Sequence, residues 1–204
     1  MKQVLAFFCL FSLSPLLIAD APDTYQADIP PDLVAKVNDA KRKQVSDQNL
    51  DEAVAELKDV LQVRPDYYRA LFNLGLIYQA QGVGSKAIET LERAMAIHNK
   101  LKIKDTSIFN SLGWAYLNSG NLELAESLFL KALKTEASNS AATNQFVLNN
   151  LGYLYLQKGD TVTAKAYLNA SIKNYNSKGA QKILKLVEEY EQREKDADPA
   201  HHTP

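Results

Sequence analysis

Apolar residues along this chain fall three and four positions apart in stripes, and the stripes return at a nearly fixed interval. Leu71, Leu74 and Tyr78 make one stripe, Phe109, Leu112 and Tyr116 a second, and Leu151 with Tyr155 belongs to a third. That spacing lines one face of a helix. Gly82, Gly120 and Gly159 stand where these stripes stop, which predicts a left-handed helix end and a chain reversal. A second stripe then opens in each copy: Ala87, Leu91 and Ala94; Ala125, Phe129 and Ala132; Ala164, Leu168 and Ser171. The pattern predicts three helical hairpins. Gly75, Gly113 and Gly152, beside the leucines of the first helices, recur at intervals of 38 and 39 residues, in the range of helix-pair arrays. A hairpin of this kind has two apolar faces, one covered by its own partner helix and the other only by the next hairpin.

The flanks extend the array. Ala53, Leu57 and Val60, before Pro65, read as the second helix of an earlier, degenerate copy over residues 32–66. Its first helix, from about Asp32 to Val45, carries Val34, Val37 and Lys41 at the landmark places, more polar than the rest, as an end cap should be. The full copies are then expected at 67–105, 106–143 and 144–177. Ala180, Ile183, Leu184, Val187 and Tyr190 form an amphipathic stripe within 178–195, which predicts a closing helix and nine helices in all. Residues 20–31 and 196–204 are polar and contain proline, so both are expected to be flexible.

Composition narrows the function classes. With 46% hydrophobic residues and only 7 prolines and 8 glycines, the chain suits one continuous array rather than several domains. The formal net charge of −1 is no nucleic-acid footprint. Lys2, the uncharged apolar run from Val4 to Ala19 and the following Asp20-Ala21-Pro22 read as an export signal over residues 1–19, cut after Ala19. The run is shorter than the roughly 20 apolar residues of a spanning helix. The one cysteine, Cys9, lies inside it, so the processed chain has no thiol chemistry. A cysteine-free exported body points to a bacterial periplasm, with secretion as the alternative.

Candidate chemistry is sparse. His98, His201 and His202 are the three histidines, and no cysteine or carboxylate cluster accompanies them at metal-ligand spacing. Neither a Gly-x-Ser-x-Gly elbow nor a phosphate-cradling glycine loop occurs. Glu188 and Glu189 read as a solvated helix face. No catalysis, cofactor, metal or small-molecule substrate is therefore expected.

The repeated landmarks, large apolar, Leu, Gly, Tyr, then Gly, Ala, Leu or Phe, Ala, resemble the tetratricopeptide repeat family. Asn99, Ala137 and Asn176 stand where that family places a helix-ending proline, and Ser171 replaces an alanine. Lys100–Thr106 and Ser138–Thr143 exceed the usual unit of roughly 34 residues, and either a longer helix or a loop accommodates them. The resemblance implies an all-α, right-handed superhelical solenoid whose first helices line a concave, partner-binding groove. Residue by residue it places Arg69, Phe72, Asn73, Leu76 and Gln79 there from the first copy. Asn110, Trp114, Leu117 and Asn118 follow from the second, and Phe146, Asn149, Asn150, Tyr153, Leu156 and Gln157 from the third.

Within that set Trp114 and Tyr153 occupy equivalent places and would present an aromatic patch. The asparagines would offer a ladder able to donate to and accept from a bound backbone. Family members that grip a C-terminal carboxylate do so with successive cations, and only Arg69 and Arg42 are available, so a clamp of that kind is not expected. The expected partner is an extended peptide or helix of another protein. A self-assembling scaffold, its groove filled by residues 20–31 or by a second copy, is the alternative.

Overall fold

The computed structural model describes residues 26, 28–45, 49–134 and 141–197. Among these the chain forms nine helices and no strand: α1 Pro31–Val45, α2 Leu50–Val63, α3 Tyr68–Ala80, α4 Gly84–Leu101, α5 Ser107–Asn118, α6 Leu122–Lys134, α7 Ala141–Gln157, α8 Thr161–Tyr175 and α9 Lys178–Ala197. The expected signal, the first part of the 20–31 segment, His201 and His202 lie outside the described residues.

The helices pair in sequence, α1 with α2, α3 with α4, α5 with α6 and α7 with α8, and α9 closes the end against α7 and α8. First helices α1, α3, α5, α7 and α9 also touch one another in series, and no pair among α2, α4, α6 and α8 approaches as closely. Closer spacing on the first-helix side puts that side on the inner face of the solenoid.

The stripes account for the core. Ala87, Leu91, Ala94, Ala125, Phe129, Ala132, Ala164, Leu168 and Ser171 are all fully buried. Gly113 shows why its place has no side chain: a Cβ there would stand 2.7 Å from Cε1 of Phe129 and 3.3 Å from Cβ of Leu128. Phe129 therefore packs directly on the backbone of α5. Gly82, Gly120 and Gly159 hold φ of +73°, +84° and +77°, the left-handed turn their position predicts. Asp160 caps α8 by accepting from the Thr163 backbone N–H at 3.0 Å, and Asn121 accepts likewise from Leu124 at 3.2 Å.

The first of the two inter-repeat excesses is divided between helix and loop, Lys100 and Leu101 extending α4 and residues 102–106 connecting it to α5. α4 runs to Leu101 and stops at Lys102, which takes the left-handed region at φ +53°. His98, on the last turn of α4, is buried and its Nε2 donates to the Asp105 carbonyl at 2.7 Å. Its ring meets Phe109 of α5 edge-on, with centroids 5.2 Å apart. The histidine is thus a staple between the extension and the next repeat. Residues 135–140 of the second excess lie outside the described set.

At the N-terminal end the structure departs from a flexible linker reaching Pro31. Gln26 and Ile29 are buried. The Gln26 side chain donates from Nε2 to the Asp66 carbonyl at 2.9 Å and accepts through Oε1 from the Tyr68 N–H at 2.9 Å. That N–H belongs to the first turn of α3, where donors lack intrahelical partners, and Tyr67 supplies no side-chain cap. Arg64 reinforces the strap with an ion pair to Asp28 at 2.9 Å. Gln26→Ala leaves the buried Tyr68 N–H unpaired and is expected to destabilise the fold by about 1–3 kcal/mol, read as a lower urea midpoint with an unchanged slope.

Candidate partner-binding groove

The inner face is built by α3, α5 and α7, and its polar side chains bridge neighbouring first helices. Gln79 of α3 donates from Nε2 to the Ser111 carbonyl of α5 at 2.7 Å. Asn150 of α7 donates from Nδ2 to Oδ1 of Asn110 on α5 at 3.0 Å. Trp114 and Tyr153 meet across the same boundary with ring centroids 6.2 Å apart and planes inclined by 42°. The equivalent places therefore come together, as expected from their identical position beside the packing glycines.

Their exposure differs from an open aromatic patch. Trp114 is 9% exposed and Tyr153 7%, because the two rings spend area on each other and on the core. Burial pushes the Tyr153 phenol up from its usual range, with an opposing hydrogen bond to Gln157. Phe72 and Leu117 lie wholly in the core, Phe72 stacked on Tyr68 at 5.9 Å. They hold α3 and α5 in place and present no contact surface. Arg69 is buried and reaches Asn38 of α1 at 3.5 Å. Asn73 is buried as well.

Asn149 leaves the expected ladder altogether. Its Oδ1 accepts from Ser171 of α8 at 2.7 Å and from Ser177 at 3.2 Å, and Ser177 Oγ in turn accepts from the Ala180 N–H at 3.1 Å. This buried knot joins α7, α8 and the start of α9, and it explains why a serine stands where the other copies carry alanine. The coincidence of Asn149 with Ser171 in one copy was the signal available in the sequence. Side chains of the set that reach solvent are Leu76, Gln79, Phe146, Asn150 and Leu156, half-buried, and Asn118 and Gln157, exposed.

Among the described residues, no group of three or more His, Cys, Asp or Glu side chains is placed to hold a metal ion. No described helix is long and apolar enough to cross a membrane.

An array of antiparallel helix pairs with stacked first helices defines a helical-repeat solenoid. Family models described as tetratricopeptide repeat match residues 66–135 and 110–178, and one described as TPR repeat matches residues 45–82. The chain belongs to the tetratricopeptide repeat family. A search of curated proteins finds no match.

Solved structures resemble it at low identity. The pilF protein of Pseudomonas aeruginosa is 20% identical, with a TM-score of 0.66, over 79% of this chain and 69% of that one. A putative kinesin light chain of TPR-like repeats from Podospora anserina is 19% identical, with a TM-score of 0.65, over 81% and 90% of the two chains. PilW, a type IV pilus biogenesis factor, is 20% identical, with a TM-score of 0.60, over 74% and 67%. At these identities the likeness concerns the fold. Proteins of this family and fold are typically non-catalytic modules for protein interaction.

Proposed function

We propose that this protein is a non-catalytic adaptor of the bacterial cell envelope that binds a peptide segment or helix of a partner protein along its inner face. The observation that carries the reading is the solvent-reaching row on the inner face, half-buried Phe146 and Asn150 with exposed Asn118 and Gln157, seated on the buried Trp114, Tyr153 and Asn110. It is flanked by half-buried Leu76 and Leu156. Partly covered apolar side chains beside amides suit an apolar or mixed segment, laid extended or as a helix. The uncharged run of residues 4–19 supports export, and the likeness to PilW, a type IV pilus biogenesis factor, supports a role in assembling a pilus, secretion or other envelope complex.

The test uses two half-buried positions that pack on the edge of the core and also reach solvent. Leu76→Glu together with Leu156→Glu is expected to lower capture of the partner from envelope extract by tenfold or more, with the partner identified by mass spectrometry. Burying two unpaired carboxylates in an apolar contact carries a cost of that order, about 1.4 kcal/mol or more. Thermal melting should fall modestly, since both leucines pack on the core edge, and capture is compared at a temperature where both chains are folded. Undiminished capture would remove the inner face from the interaction.

A further inference from the structure

The three seams between successive hairpins are not built alike. At the second seam Tyr116 of α5 donates its hydroxyl to Glu92 of α4, the residue after Leu91. At the third, Tyr155 of α7 donates to Glu126 of α6, the residue after Ala125, and Lys158 joins the same carboxylate. Both phenols are pushed up to about 12, first by the hydrogen bond to the carboxylate. Each seam is thus closed by a tyrosine on a first helix and a carboxylate on the preceding second helix.

Tyr78 holds the same place at the first seam, between α2 and α3. The residue of α2 after Leu57 is Lys58, and the one after Ala53 is Val54, so neither place that supplies a carboxylate later supplies one here. Thr90 stands on α4 where Leu128 and Tyr167 stand on α6 and α8, and Tyr167 fills its seam by stacking on Tyr155 at 5.6 Å. The smaller side chain leaves an open cleft of about 450 Å³ on the second-helix side of the array, with Leu61, Leu74 and Tyr78 among its apolar lining. Lys58, Lys86 and Arg93 line it with a single carboxylate, Glu89. Lys86 Nζ lies 5.7 Å from the centroid of the Tyr78 ring. Among the described residues none of these four charged groups is held in an ion pair, and the Tyr78 hydroxyl makes no hydrogen bond.

We propose that this cleft is a second docking site, separate from the inner face, and that its occupant is an acidic peptide segment of a partner protein. A carboxylate from that segment takes the place that Glu92 and Glu126 hold in the other seams. It accepts from the Tyr78 hydroxyl while Lys58, Lys86 and Arg93 offset its charge. The apolar residues beside the cations favour a ligand that carries apolar side chains between its acids, which a peptide provides and a small dicarboxylate lacks. Charge complementarity of three cations to one carboxylate selects the sign of the partner.

The test is fluorescence anisotropy of the full chain with a labelled octapeptide alternating Leu and Glu, its Leu–Gln counterpart and free glutarate as competitor. The acidic peptide should bind, more weakly as salt rises, and the Gln peptide should lose roughly tenfold or more, as expected for a charge-assisted hydrogen bond. Lys58→Glu supplies the missing internal carboxylate, and Thr90→Tyr fills the cleft as Tyr167 fills its own. Each variant should abolish peptide binding while melting as the parent does and capturing the inner-face partner undiminished. Equal binding of the Gln peptide, or binding that survives both variants, overturns the proposal. Glutarate binding as tightly as the peptide overturns the peptide assignment in favour of a small-molecule acid.

Discussion

Trp114→Ala is expected to lower the unfolding free energy by about 3–5 kcal/mol, the usual cost of deleting a buried large aromatic side chain. The ring is 9% exposed and belongs to the main core cluster, which spans α3 to α9. Adding Tyr153→Ala costs less than a second full share, because the two rings lie against each other and their energies are coupled. Capture of a partner should fall with the double variant, but part of that loss reflects the weakened fold, which is why the Leu76 and Leu156 pair carries the functional test. Trp114 is the one tryptophan of the chain, so its emission reports on this place alone. Tyr153→Ala should shift that emission to the red as water reaches the indole, and a bound partner should shift it without unfolding. Emission unchanged by Tyr153→Ala would show that the rings do not shield each other.

Phe129→Ala is the second large effect, again about 3–5 kcal/mol. Its fully buried ring lies against the Gly113 backbone at the centre of the array, so the cavity opens between α5 and α6 where no longer side chain can fill it. Stability in such arrays is carried by neighbour-to-neighbour contacts. The core also divides into two clusters, one from Ile29 to Ala87 and one centred on α5 to α9. Hydrogen exchange should therefore show protection lost first across α5 to α8, while α1 to α3 keep theirs. Uniform loss along the whole chain would mean that the two clusters melt as one unit.

The repeat landmarks made the helices legible because each solves a local packing problem whose period survives in the sequence. Leu91 and Phe129 lie under Gly75 and Gly113, as the small-against-large pattern predicts. The closing helix was equally plain, and the structure carries it two residues further, to Ala197. Gln26 was not legible. Its partners, Asp66 and Tyr68, are 40 and 42 residues away and are backbone groups, so no side-chain pattern marks them.

The inner face was read in part. Position along a helix identifies the face a residue points to, which is why Trp114 meets Tyr153. It does not fix how far neighbours cover that residue, so Phe72 and Leu117 proved to be core. Asn110 and Asn149 hold the same place before their packing glycines, yet Asn110 accepts from Asn150 while Asn149 accepts from Ser171 and Ser177, because only the third copy supplies both of those serines. The open seam at Tyr78 was visible in the residues all along, but only once α2 is aligned with α4 and α6 does Lys58 stand out against Glu92.

The staple of His98 on Asp105 and Phe109 bears on interchangeability. Repeats of this architecture invite shuffling, as though each were a brick of standard length. Here the long α4 and its left-handed stop at Lys102 set the offset at which α5 begins, and His98 locks that offset from within. A consensus unit of about 34 residues put in place of the first full copy would bring α5 in too early, leaving Phe109 and the Asp105 carbonyl without their partner. Grafts into this protein therefore have to respect the α4–α5 junction as one indivisible piece.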